Sequence, residues 1–143
     1  MIKRNIFACL FVLFAFCLTG CKPPTTETVK VTGKITIDGN PIEQGAIKFM
    51  ATDGETPVGG GSISNGTYLA EVPPGKKKVL VNGQKVTGKE PLYKGVPDSP
   101  TRDKLERTTP LAYNNQDATP LTADITGPTD GLDFDLNSKI KSL

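Results

Sequence analysis

The sequence predicts an all-β protein, and more narrowly a single seven-stranded Greek-key β-sandwich with a long irregular insertion. Three observations support this prediction. About seven short segments alternate apolar and polar residues with a period of two. Turn-forming Gly, Pro, Asn and Asp separate these segments. Long amphipathic helical patterns are hard to find in a chain of 143 residues that contains 15 Gly and 12 Pro.

The first predicted strand has the cleanest alternation. From Val29 to Ile37, Val and Ile share one face with Gly33, while Lys and Thr occupy the other. Asp38 to Pro41 then predicts a turn in which Gly39 is free to adopt a positive φ. Because strand glycines often mark irregular positions, Gly33 indicates a bulge or a close approach of another segment.

Two further strands and a hairpin follow. Ala46 to Ala51 alternates with Phe49 on the inward face, and Val58 to Ser64 is a weak, Gly-rich strand. Asn65-Gly66 is the strongest short-range hairpin signal in the chain. Thr67 to Val72 is the return strand.

The remaining strands lie on either side of the insertion. After a Pro-Pro-Gly turn, Lys76 to Val81 alternates with Val79 and Val81 inward. Leu121 to Thr126 and Leu132 to Leu136 alternate again and close the domain. The large core side chains are expected to be Phe49, Tyr68 and Phe134.

The predicted insertion spans about residues 82–118 and is rich in charge, Pro and Gly. A structureless loop of this length is uncommon inside a domain. We expect it either to be mobile or to lie over the sandwich, held there by Leu111 and Tyr113. A short helical turn is predicted from Asp98 to Arg107. The end of the chain, 137–143, is predicted to be a frayed basic tail.

The N-terminus has the parts of a secretory signal. Lys3 and Arg4 form a positive region, and Ile6 to Leu18 is apolar but shorter than the roughly 20 residues of a spanning helix. Leu18 to Cys21, with the sequence Leu-Thr-Gly-Cys, resembles the lipobox of bacterial lipoproteins.

This resemblance implies cleavage of 1–20 and a diacylglyceryl thioether on Cys21, with a further acyl chain such as palmitate on the new amine. Two or three acyl chains anchor a protein stably, whereas one short chain does not. Residues 21–28 are then the lipidated N-terminus and an extended tether, and 29–136 is the domain. An uncleaved membrane helix or an ordinary signal cut elsewhere are the alternatives. The resemblance implies that Lys22, directly after the lipidated cysteine, favours anchoring in the outer membrane, with the cell membrane as the alternative. The domain would face the periplasm or the exterior.

Composition and cysteine usage exclude several classes of function. The chain has 17 basic and 15 acidic residues, so removing Lys3 and Arg4 leaves 15 of each and no electrostatic reason to bind nucleic acid. Cys9 and Cys17 lie in the segment to be cleaved, so the mature chain retains Cys21 alone and forms no disulfide.

The order of motifs is similar to that of carboxypeptidase regulatory-like domains, also called transthyretin-like or prealbumin-like. The similar stretches are Val31 to Ile42, Gly45 to Phe49, Asn65 to Tyr68 and Val72 to Val79. Pro110 to Asn114 and the two closing strands resemble elements of small bacterial lipoproteins that carry one such domain. The resemblance covers most of 29–81 and 110–136 but not the insertion. It implies a seven-stranded sandwich and usually no catalysis.

No catalytic, cofactor or metal site is predicted. The chain has no His, so zinc, copper and Ser-His-Asp chemistry lack their usual residues. Asp130, Asp133 and Asp135 form a small acidic cluster, for which a solvated strand face is favoured over a calcium site. The run Gly59 to Gly61 is not a phosphate loop and is interpreted as an edge strand or loop.

Two further features, a lysine run and a pair of tyrosines, are each compatible with binding to a ligand. Lys76 to Lys78 indicates contact with anionic lipid or polymer, or an edge strand protected by lysine, and the second is favoured. Tyr93 and Tyr113 suggest recognition of a glycan or, more simply, anchoring of the insertion. The sequence thus predicts a non-catalytic, lipid-anchored envelope module. The expected partners are membrane lipid through Cys21 and an envelope protein or polysaccharide. A carbohydrate- or polymer-binding module is the alternative, and an enzyme with an unrecognised carboxylate site is the less favoured one.

Overall fold

A computed structural model describes residues 27–53 and 58–140. The signal segment, Cys21 and most of the tether lie outside these residues. The described chain is all-β, which confirms the predicted class. The strands are β1 (Val29–Ile37), β2 (Asn40–Pro41), β3 (Gln44–Ala51), β4 (Gly59–Ser64), β5 (Thr67–Val72), β6 (Gly75–Pro91), β7 (Thr101–Arg107), β8 (Thr122–Ile125) and β9 (Phe134–Leu136).

The strands form one curled, mainly antiparallel sheet in the order β2-β1-β5-β4-β3-β6-β7. β8 pairs with the start of β6, and β9 runs parallel to the end of β1. This arrangement, closed over one core, is consistent with a β-sandwich. All seven predicted strands are present, and the short β2 and the whole of β7 are two additional strands of the described chain. The seven-stranded Greek-key topology stays a prediction.

The core is built from the alternating residues that the sequence places inward. Val31 and Ile35 of β1 are fully buried, and so is Phe49 of β3. The rings of Phe49 and Tyr68 lie 6.3 Å apart, and those of Tyr68 and Phe134 also lie 6.3 Å apart. These contacts confirm the three predicted aromatic core residues.

Tyr68 has a polar role as well. Its hydroxyl donates a hydrogen bond of 2.6 Å to the backbone carbonyl of Leu132. Burial, and secondarily the charge of Asp133, raise the pKa of Tyr68 well above its usual value. The phenol therefore stays neutral and remains a donor at physiological pH.

The hairpin turns form as predicted. Asn65 and Gly66 both have positive φ, 49° and 73°, as a type I′ turn requires, and they join β4 to β5. Asp38 and Gly39 have φ of 49° and 79° and join β1 to β2.

Gly33 marks a close approach, as the sequence indicates. A Cβ at this position would lie 2.0 Å from the backbone carbonyl oxygen of Leu132. The amide of Leu132 donates a hydrogen bond of 2.9 Å to the carbonyl of Thr32. The segment before β9 therefore packs directly on the backbone of β1.

The irregular insertion predicted for 82–118 is wrong. β6 continues to Pro91 and pairs antiparallel with β7, so the two strands form a long hairpin. The helical turn predicted within Asp98 to Arg107 is also wrong, because most of that range is β7. The pattern of apolar residues did not reveal this hairpin, since almost none of its side chains is buried.

The tail also differs from its prediction. The amide of Ser138 donates a hydrogen bond of 3.1 Å to Asp38, and Ile140 packs against the core. Hydrogen bonding with the Ser138 side chain, and secondarily with the Ser138 amide, lowers the pKa of the Asp38 carboxyl. Residues 137–140 are therefore docked rather than frayed, and 141–143 lie outside the described residues.

Candidate functional site

The main candidate site is a β-hairpin, here called the arm, that comprises residues 84–107. Every residue of β7 is exposed, and β6 is exposed from Lys85 to Lys89. Because the side chains of a strand alternate between two faces, exposure of successive residues means that both faces of the arm meet solvent. The arm therefore projects from the domain.

Cross-strand contacts hold the arm together. Lys89 and Asp103 form an ion pair of 3.0 Å, and Arg102 and Glu90 form one of 2.7 Å. Pairs of opposite charge across an antiparallel ladder stabilise it modestly. A bulge at Thr87 interrupts the ladder.

The two ends of the arm are also fixed. At its base, the amide of Gly83 donates a hydrogen bond of 2.9 Å to the buried Thr109 hydroxyl. At its tip, the amide of Leu92 donates one of 2.7 Å to the carbonyl of Pro100. The arm is thus an ordered ribbon whose stability does not depend on a buried face.

Exposed apolar side chains concentrate on and beside the arm. Among the described residues, eight large apolar side chains are exposed, and six of them fall within 86–111. Five are on the arm itself: Val86, Leu92, Tyr93, Val96 and Leu105. Single exposed apolar residues are ordinary, but a group on one projecting element indicates a contact surface.

A groove lies at the base of the arm, on the outer face of the sheet. It has a volume of about 410 Å³. Its lining includes Gln44, Ser62, Asn82, Gln84 and Leu105. The Oδ1 atom of Asn82 is buried and, among the described residues, has no hydrogen-bond partner. The groove thus presents neutral amides and a hydroxyl, which donate and accept hydrogen bonds without charge.

The predicted acidic cluster is occupied by hydrogen bonds to β1. Asp130 accepts one of 2.8 Å from the Thr32 hydroxyl, and Asp133 accepts one of 2.7 Å from the Lys34 amide. Asp135 accepts one of 2.6 Å from the Thr36 hydroxyl. The three carboxylates are exposed and fasten the last segment to the first strand. Within 27–53 and 58–140, no group of three or more His, Cys, Asp or Glu is placed to hold a metal ion.

The lysine run does not form one patch, and the protected-edge interpretation is wrong. The start of β6 lies between β3 and β8, so it is an interior strand there. Lys76 is exposed, whereas Lys77 is only 1% exposed. Lys78 donates a hydrogen bond of 2.8 Å to the carbonyl of Gln116.

The glycine run is likewise interior rather than at an edge. β4 pairs with β3 on one side and with β5 on the other. A Cβ at Gly61 would lie 1.9 Å from the carbonyl oxygen of Leu69. The sequence pattern did not reveal this, because glycine is typical both of edges and of tightly packed interior positions.

The two candidate tyrosines have different environments. Tyr113 is 3% exposed, and its hydroxyl accepts a hydrogen bond of 2.9 Å from the amide of Asn137. It fixes its segment as expected. Leu111, its expected companion, is 62% exposed, because the short 3₁₀ helix Leu111–Asn114 turns Ala112 and Tyr113 inward instead. Tyr93 is 59% exposed at the tip of the arm.

Comparison with known proteins identifies no family. No family model matches the chain, and no curated protein matches it. Among solved structures, a 9R-lipoxygenase from Cyanothece PCC8801 resembles the chain with 13% identity and a TM-score of 0.38. The match covers 81% of this chain but 17% of the lipoxygenase. A likeness this weak carries no argument about fold or function. Within the described residues, no helix is long and apolar enough to cross a membrane.

Proposed function

We propose that this chain is a non-catalytic, lipid-anchored module of the cell envelope that binds a partner through its arm. The lipobox-like Leu-Thr-Gly-Cys at Cys21 supports the anchor and hence a location at the cell membrane or outer membrane. The observation that supports the binding role is that six of the eight large apolar side chains exposed in the described part of the chain lie within 86–111. The order of motifs similar to carboxypeptidase regulatory-like domains, which usually lack catalysis, agrees with this proposal.

The acidic residues also favour binding over catalysis. Asp130, Asp133 and Asp135 are the carboxylates that the sequence groups together, and each of them accepts a hydrogen bond from β1. All three side chains are exposed to solvent. These hydrogen bonds give the three carboxylates a structural role, because they hold the last segment of the domain against β1.

Photocrosslinking in cells tests the binding role. A photoreactive amino acid replaces Tyr93 at the arm tip, or Leu69 on the sheet as a control of matched exposure, 59% against 56%. We expect a discrete protein adduct from position 93 and none from position 69. Adducts from both positions, or from neither, would contradict a role for the arm.

The carbohydrate-binding alternative rests on a different observation, the groove lined by Gln44, Ser62, Asn82 and Gln84. Neutral amides are suited to the hydroxyls of a polysaccharide, and the volume suits a small ligand. Among the described residues, no stripe of exposed aromatic rings accompanies the groove, because Tyr93, at the tip of the arm, is the single exposed aromatic side chain. A third crosslinking position at Ser62 separates the two functions. A polysaccharide adduct there, with none at position 93, would favour the alternative.

A further inference from the structure

The outer edge of β7 is open in the described part of the chain. β7 ends the path of paired strands, and it pairs with β6. An unpaired edge exposes backbone N–H and C=O groups that can add another strand. The charged side chains of β7 determine which added strand would pair favourably with this edge.

The edge carries a charge pattern that complements itself. Residues 103–107 read Asp-Lys-Leu-Glu-Arg, or negative, positive, apolar, negative, positive. When two copies run antiparallel with Leu105 opposite Leu105, Asp103 faces Arg107 and Lys104 faces Glu106. By symmetry each of these pairs occurs twice, so every charge in the segment meets an opposite charge. Opposite charges across an antiparallel pair are favourable.

The backbone N–H and C=O groups of β7 point in the directions that this register requires. The amide of Thr108 donates to the carbonyl of Gly83, and the carbonyl of Pro100 accepts from Leu92. Even-numbered residues here therefore direct their backbone groups towards β6. Because this direction alternates along a strand, the N–H and C=O of Asp103, Leu105 and Arg107 point outward. Leu105 can then form a hydrogen-bonded pair with the second copy's Leu105, and the flanking pairs continue the ladder.

The side chains would also continue across the joined ribbons. Leu105 already lies opposite Val86 within the arm, and the two are 50% and 45% exposed. Pairing would place Val86, Leu105 and the same two residues of the second copy in one apolar row. On the other face, Lys85 lies opposite Glu106, which would next meet the second copy's Lys104. Charge therefore alternates along that row.

A neighbouring register is less favourable. If the two-fold axis passes through position 104, Lys104 faces Lys104 and Asp103 faces Leu105. Like charges directly opposite each other destabilise a ladder. The charge pattern thus selects one register as well as one partner.

We propose that the arm is a self-association element, through which two copies of this chain join by antiparallel pairing of β7 centred on Leu105. This inference rests on the proposed binding role of the arm and names its partner. A joint this small is expected to be weak, well below the size of a standard stable interface.

Charge reversal tests the pairing. In Lys104→Glu, the new carboxylate of each copy faces Glu106 of the other copy and repels it. In Glu106→Lys, the new ammonium of each copy faces Lys104 of the other copy and repels it. Sedimentation of the full chain in density-matched detergent, over a concentration series, measures self-association. We expect each variant to self-associate at least tenfold more weakly than the wild type. An equimolar mixture of the two variants, carrying different tags, should recover association, because each variant then meets the opposite charge at both positions.

The control is Lys48→Glu, which makes the same charge change at an exposed position of β3, outside the arm. It should associate like the wild type. A wild-type chain that stays monomeric throughout the series, undiminished association of Lys104→Glu, or a mixture that does not recover would each overturn the inference.

The crosslinking experiment separates this failure from that of the proposed function. A Tyr93 adduct with the mass of two chains supports self-association. An adduct with a different envelope protein, combined with monomeric sedimentation, would overturn self-association and leave the binding role intact. Absence of any adduct, with a monomeric chain, would overturn both.

Discussion

Replacing Gly33 with alanine is expected to lower the free energy of unfolding by about 3 kcal/mol or more. The added Cβ would lie 2.0 Å from the carbonyl oxygen of Leu132 and 2.6 Å from its carbonyl carbon. Both are backbone atoms, so no side-chain rotation relieves the clash. The segment must move away, which breaks the hydrogen bond from Leu132 to Thr32 and weakens that from Lys34 to Asp133.

Urea unfolding followed by circular dichroism measures this effect. Gly127→Ala is the matched control, because a Cβ there would have no heavy atom within 4 Å. The control should lie within about 0.5 kcal/mol of the wild type. A Gly33→Ala chain as stable as the Gly127→Ala chain would show that the close approach to β1 is absent.

Replacing Lys77 with methionine should have the opposite sign and raise the free energy of unfolding by about 2 kcal/mol or more. Lys77 is 1% exposed, and its Nζ atom has no hydrogen-bond partner within 27–53 and 58–140. It occupies an inward position of β6 in line with Val79 and Val81. Burying an unpaired ammonium costs free energy that a methionine of similar length does not incur.

Thermal unfolding gives the readout, with an expected rise in Tm of roughly 8 °C or more for a domain of this size. Lys76→Met is the control. The Lys76 side chain is exposed, so its replacement should change the stability little. Equal or lower stability of the Lys77→Met chain would mean that the ammonium makes a contact that stabilises the fold.

The elements that the sequence predicted well are those whose residues are sorted by burial. Val29 to Ile37 alternates because one face of β1 lies on the core, and burial of Val31 and Ile35 follows that pattern. Asn65-Gly66 was equally readable, because few residue pairs accept two positive φ angles in succession. In both cases the local chemistry and the tertiary structure require the same residues.

The arm could not be predicted in this way. β7 has the sequence Thr-Arg-Asp-Lys-Leu-Glu-Arg and buries none of its side chains, so no apolar period marks it as a strand. Cross-strand ion pairs such as Lys89 with Asp103 support it instead, and these join residues that are distant in the sequence. The charge order of 103–107 becomes meaningful only once β7 is known to be an open edge.

Lys77 and the glycine run were misread for a related reason. Residue type alone places lysine at exposed or edge positions, yet β6 lies between β3 and β8 at this point. Which strands flank a given strand depends on topology, and neighbouring residues in the chain carry no signal of it. The sequence therefore indicated the proposed anchor, Cys21, which lies outside the described residues, but it did not indicate the proposed binding surface.

The intact mass of the natural chain extracted from its own membranes tests the central proposal most directly. A lipid-anchored module predicts a mature chain that begins at residue 21 and carries a diacylglyceryl group on the Cys21 sulfur. A chain that begins elsewhere, or a free thiol at Cys21, would contradict it.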